Sequence, residues 1–147
     1  MTTVPARPGR SWLLAGSILM LLTGLAHTAG QFGPTPPGFE APVAAMQAAR
    51  FDMGLGMSPS LFDIFQDLTF TMSVTFFALG ALNLLLALHR TVTVELQRPV
   101  ALINVLWLTA FVVLSYRYAV PPPLICGVVM LPVFGVAFLK SRPAPGA

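Results

Sequence analysis

Four apolar runs without a single charge constrain this chain more than anything else in it: residues 11–28, 68–88, 99–116 and 120–139. A helix rises about 1.5 Å per residue, so each run about matches the ~30 Å hydrocarbon layer of a bilayer. In lipid every backbone N–H and C=O must be satisfied internally, and for separate runs of this length the helix does so. The sequence therefore predicts an all-α membrane protein, a four-transmembrane-helix bundle. Composition agrees. Only 9% of the 147 residues are charged and 56% are hydrophobic, against about 25% charged in a soluble domain. The net charge of +3 is spread over the run ends, which argues against nucleic acid as a partner. Cys126 is the single cysteine, so an intrachain disulfide and a cysteine-based zinc site are both excluded.

Orientation follows from where the basic residues fall, because loops rich in Lys and Arg stay on the cytoplasmic side. Arg7 and Arg10 precede the first run, Arg90 and Arg98 join the second to the third, and Lys140 and Arg142 follow the fourth. Only Arg50 and Arg117 lie in the other two connections, and the first of these also carries Glu40, Asp52, Asp63 and Asp67. The expected arrangement is a cytoplasmic tail over 1–10, a membrane domain over 11–139 with its outer loop at 29–67, and a disordered C-terminal tail over 140–147. Both termini are then cytoplasmic. A competing reading takes Arg7 and Arg10 as the n-region of a signal peptide cleaved near Gly24-Leu25-Ala26. It leaves three helices and the same outer loop.

In the first run Gly16, Met20, Thr23, Gly24 and His27 recur at helical spacing. Small residues on one face allow close helix packing in lipid, so this face is expected to point into the bundle and take His27 with it. Gly127 and Gly135 suggest a similar face in the last run, where Pro132 should kink the helix. Asn83 and Asn104 are each about one and a half turns inside the same membrane boundary, on runs joined by a short connection. An interhelical Asn83–Asn104 hydrogen bond is expected as a structural polar pair.

The outer loop begins with Gly33-Pro34-Thr35-Pro36-Pro37-Gly38, which is incompatible with helix. Residues 42–53 then read as a short amphipathic helix with Val43, Met46, Ala49 and Met53 along its apolar stripe. Glu40 at its start and Arg50 at its end suit the helix dipole. Ser58-Pro59 has the form of an N-cap followed by proline at the first helical position. A helix starting there carries Asp63 and Asp67 on one face, continued by Thr71, Val74 and Ala78.

The polar groups gather at the outer end: His27, Gln31, Asp63, Gln66, Asp67, Thr71, Ser115, Tyr116, Arg117 and Cys126. Ionisable groups at a membrane boundary are candidates for function. His27, Asp63, Asp67 and Arg117 are the catalytic candidates, with a carboxylate beside His27 setting up acid–base chemistry and Arg117 as anion partner. His27, Cys126, Met72 and Met130 offer soft donors of the kind copper(I) takes, but Met and Cys also serve as apolar filler. No metal and no cofactor is assigned.

Gly24-Leu25-Ala26-His27, Ala49-Arg50-Phe51-Asp52-Met53-Gly54 and Ser60-Leu61-Phe62-Asp63-Ile64-Phe65 together resemble a pattern in an uncharacterised family of small bacterial four-helix integral membrane proteins. Gln66-Asp67 stands where that pattern has a glycine after the aromatic pair. The resemblance implies a bacterial inner-membrane setting and transfers no activity.

Three functional classes are open at this point. The first is a non-enzymatic small subunit, or a module that binds lipid or a partner through the outer loop. The second is a membrane-embedded enzyme acting on a lipid-soluble substrate at an outer-face His/Asp site. The third is an oligomeric transport component. Expected partners are the lipid bilayer, a hydrophobic small molecule or lipid, and a second copy or another membrane protein.

Overall fold

The computed structural model describes residues 8–89 and 92–141. Arg7, Arg90, Arg142 and the rest of segments 1–7 and 142–147 lie outside the described residues, and with them most of both expected tails. Five helices follow one another: α1 (Arg10–Gln31), α2 (Glu40–Ala48), α3 (Leu61–Leu88), α4 (Val94–Arg117) and α5 (Pro121–Lys140). Among the described residues there is no strand, only an isolated antiparallel bridge between Arg50 and Ser60. Helices α1, α3, α4 and α5 are long and apolar enough to cross a membrane.

Helix boundaries depart from the hydropathy runs wherever polar residues can continue a helix. Helix α1 extends to Gln31, so His27 is well inside it. Helix α4 starts at Val94 and runs through Pro99. Proline sacrifices one backbone hydrogen bond there, while the earlier start sets Glu95 against the helix dipole and buries Gln97. Helix α5 opens on Pro121 and Pro122, where missing N–H groups cost nothing. The turn before it closes with Val120 N–H on the Ser115 carbonyl at 2.9 Å and Ala119 in a left-handed conformation, φ 53°. That is the bond pattern of a Schellman C-cap without its usual glycine.

The chain forms two compact units: residues up to Leu22 together with Ala78 onward, and Thr23–Phe77. In the first unit each helix presents a buried stripe at helical spacing. Leu13, Gly16, Ser17 and Met20 line α1, and Gly80, Asn83 and Ala87 line α3. Ala101, Asn104 and Leu108 line α4, and Gly127, Met130, Phe134 and Ala137 line α5. Glycines make the close approaches. A Cβ on Gly16 would lie 2.6 Å from the Phe134 ring, and one on Gly127 would lie 2.6 Å from Val112 Cγ2. Gly135 is different: nothing lies within 4 Å of its would-be Cβ, so the expected pairing of Gly127 with Gly135 on a packed face fails.

In the second unit the remainder of α1 runs antiparallel to the start of α3. Gly24 packs on Phe76 and Phe77, Gln31 meets Thr69, and the Phe32 and Phe70 rings are 5.8 Å apart. The loop differs from its sequence reading. Helix α2 ends at Ala48 and none of its residues is buried, so Ala49, Arg50 and Met53 are not on it. Instead residues 49–61 form a small hairpin. Leu61 N–H donates to the Ala49 carbonyl at 2.8 Å, Phe51 N–H to Pro59 at 3.0 Å and Met53 N–H to Met57 at 3.0 Å. Its tip is Gly54-Leu55-Gly56, all three with positive φ. Glycine adopts that backbone freely and leucine rarely does.

Candidate functional site

The polar side chains of the second unit lie mainly where α1 and α3 face each other. His27 and Gln31 continue the buried stripe of α1, while Gln66, Thr69 and Ser73 share one face of α3. The register set by Gly24 on Phe76 and Gln31 on Thr69 brings His27 level with Ser73. Thr69 Oγ1 donates to Gln31 Oε1 at 3.1 Å, closing one polar contact across the pair. Two atoms of this stripe, His27 Nε2 and Gln66 Oε1, are buried without a hydrogen-bond partner. Leaving a buried polar atom unpaired costs about 1–3 kcal/mol.

The acidic candidates do not join them. Ser60, not Ser58, is the N-cap of α3, and it forms a capping box with Asp63. Asp63 N–H donates to Ser60 Oγ at 3.1 Å, while Ser60 N–H and Oγ donate to Asp63 Oδ2 at 2.8 and 2.7 Å. The Asp63 carboxylate is thus turned back on its own helix start. Asp67 is exposed and its side chain makes no hydrogen bond or ion pair among the described residues. The face it shares with Asp63, Thr71, Val74 and Ala78 is exposed throughout, whereas the packed face of α3 carries Ser73, Phe76 and Gly80. Arg117 belongs to the first unit, at the end of α4, exposed and flanked by exposed Tyr116 and Tyr118. Among the described residues no three of His, Cys, Asp and Glu gather as metal ligands. Met130 is a core residue and Cys126 is half-buried.

Asn83 and Asn104 bond reciprocally in the first unit. Asn83 Nδ2 donates to Asn104 Oδ1 at 2.8 Å, and Asn104 Nδ2 donates to Asn83 Oδ1 at 3.1 Å. Asn104 Nδ2 also reaches the Val100 carbonyl at 2.8 Å, and Asn83 Nδ2 the Met20 sulfur at 3.6 Å. This pair links α3 to α4 and touches α1, with both side chains almost fully buried.

Sequence reasoning missed two features. Gln97 and Ser141 are buried polar residues at the ends of α4 and α5, hidden because both lie just outside an apolar run. The hairpin was also missed, although Gly54 and Gly56 on either side of Leu55 were a turn signal. Its apolar residues are exposed: Leu55 is 95% exposed, Met53 62%, Met57 55% and Phe51 45%. No family model, curated protein or solved structure matches this chain.

Proposed function

We propose that this is an integral multi-pass membrane protein of four spans, with both termini cytoplasmic and the segment between α1 and α3 on the outer side of a bacterial inner membrane. In that setting it acts as a non-enzymatic small subunit or binding module, and the hairpin at 49–61 is its contact element. The observation that carries this reading is the tip: Met53, Leu55 and Met57 stand exposed on a hydrogen-bonded scaffold. An exposed apolar cluster on an ordered loop marks an interaction surface, and methionine adapts to varied apolar partners. The engagement of Asp63 in a cap and the exposure of Asp67 also favour a binding role over acid–base catalysis.

The test uses a fluorophore attached at Leu55→Cys in a Cys126→Ser background, with the protein in lipid nanodiscs. A tip that contacts lipid or a membrane partner gives a blue-shifted emission, lost when Met53 and Met57 are both changed to Asp. A water-like emission in nanodiscs and in native membranes alike sinks the proposal. The enzyme reading retains one supporting observation, the unpartnered Nε2 of His27. It requires His27→Ala to abolish turnover of a lipid-soluble substrate while the protein still folds.

A further inference from the structure

At one end of the first unit three elements are tied together by a small polar junction. Gln97, only 1% exposed, donates from Nε2 to the Pro8 carbonyl at 2.9 Å and to Ser141 Oγ. Ser141 Oγ donates to the same carbonyl at 3.3 Å. The segment entering α1, the first turn of α4 and the residue after α5 therefore meet at one point. A Cβ on Gly9 would fall 2.5 Å from Ser141 Oγ and 2.7 Å from the Ala137 carbonyl, and its φ is +86°, so glycine is required there.

Each arm of the junction brings a cation within two positions: Arg10, Arg98 and Lys140. All three are held by neighbours. Arg10 Nε donates to the Ala87 carbonyl at 2.7 Å, Arg98 lies 4.9 Å from the Phe138 ring centre, and Lys140 lies 5.8 Å from that of Trp12. Against them this unit sets one acid, the exposed Glu95. The junction is also incomplete, because Gln97 Oε1 and Arg98 Nε are buried with no hydrogen-bond partner. An acceptor is missing for the arginine, and a donor for the amide oxygen.

Resting on the reading that the long helices span a bilayer, we infer that this junction is a headgroup site for an anionic phospholipid whose headgroup carries a hydroxyl. The phosphate supplies the acceptor missing at Arg98, with Arg10 and Lys140 adding positive charge at the same end of the unit, and the hydroxyl donates to Gln97 Oε1. A guanidinium matches phosphate geometry, and basic pockets between membrane helices at the bilayer surface bind acidic headgroups. Trp12 supplies the aromatic ring such a boundary favours.

Native mass spectrometry of the full chain in mild detergent, with phosphatidylglycerol, phosphatidylcholine or glycerol 1-phosphate added, tests the inference. Phosphatidylglycerol should stay bound under activation that strips phosphatidylcholine, and excess glycerol 1-phosphate should not displace it. Arg98→Gln or Lys140→Gln should weaken the anionic lipid about fivefold, the effect of one surface charge, with Arg50→Gln in the other unit leaving it unchanged. Equal retention of the two lipids, displacement by glycerol 1-phosphate, or equal weakening in Arg50→Gln overturns the site. If Arg98→Gln does not fold, Arg98→Lys and the wild-type lipid comparison still decide it. Carbonate extraction of native membranes separates the two readings. A chain that stays in the membrane without anionic preference refutes the site alone, while a chain released by carbonate refutes the spanning reading with it.

Discussion

Single residues in this protein matter mainly through hydrogen bonds that have no competitor in an apolar surrounding. The Asn83–Asn104 pair is the clearest case, because each amide is both donor and acceptor to the other. Asn83→Leu removes the partner of a buried Asn104 side chain and strands its Oδ1. The expected cost is about 0.6–2 kcal/mol in detergent, the range for polar contacts between membrane helices. The double variant Asn83→Leu/Asn104→Leu should lose less than the sum of the two singles, because it leaves no orphan. Circular-dichroism unfolding in mixed micelles measures both, and strictly additive losses would show the pair to be uncoupled. This contact was legible in sequence because two asparagines stood alone inside apolar runs at matching depth. His27 was legible in part. Its helix face followed from Gly16, Met20 and Gly24, but its surroundings depended on the register of α1 against α3, which no local pattern encodes.

At the scale of elements, the long helices were legible and their ends were not. Hydropathy sees side chains, whereas a helix continues as long as its backbone bonds can be made, and residues such as Gln31, Glu95 and Gln97 allow that. The start of α3 shows the difference. The sequence points to Ser58-Pro59 as the start, and hairpin pairing moves it to Ser60 by drawing Phe51 N–H to the Pro59 carbonyl and Leu61 N–H to that of Ala49. Ser60 is then the first residue free to cap, and its box with Asp63 fixes the junction between hairpin and helix. Ser60→Ala should cost about 0.5–2 kcal/mol locally. The loss should appear as faster hydrogen exchange at Phe62 and Asp63, with the amides of the Phe76 region unchanged. Uniform exchange along α3 in both proteins would mean that the box contributes nothing to the helix start. Asp63→Asn, which keeps an acceptor oxygen but loses the charge, should fall between wild type and Ser60→Ala.

For the whole molecule, the proposed topology rests on charge and on length. Helix α3 has 28 residues, so it is about 42 Å long and exceeds the ~30 Å hydrocarbon layer. Its first turns can therefore stand clear of the lipid, and these turns bear Asp63 and Asp67. The other end of α3 is followed by Arg90 and Arg98, and six of the eight basic residues fall in segments that an even number of spans puts on one side. In the proposed topology the positive-inside rule assigns that side to the cytoplasm. Single cysteines in a Cys126→Ser background read the arrangement directly. Leu55→Cys should react with a membrane-impermeant maleimide in intact spheroplasts, and Lys140→Cys should react only after permeabilisation. The reverse pattern inverts the topology. Reaction at both positions in sealed cells puts them on one side, an even number of spans apart, and so means that α3, α4 and α5 do not all cross. An orientation can be proposed from sequence because it depends on charge counts that need no tertiary structure. The lipid-facing and partner-facing surfaces were not, because the same apolar residues serve for both. The maleimide pattern fixes the first, and the emission of a probe at Leu55 distinguishes the surroundings of the second.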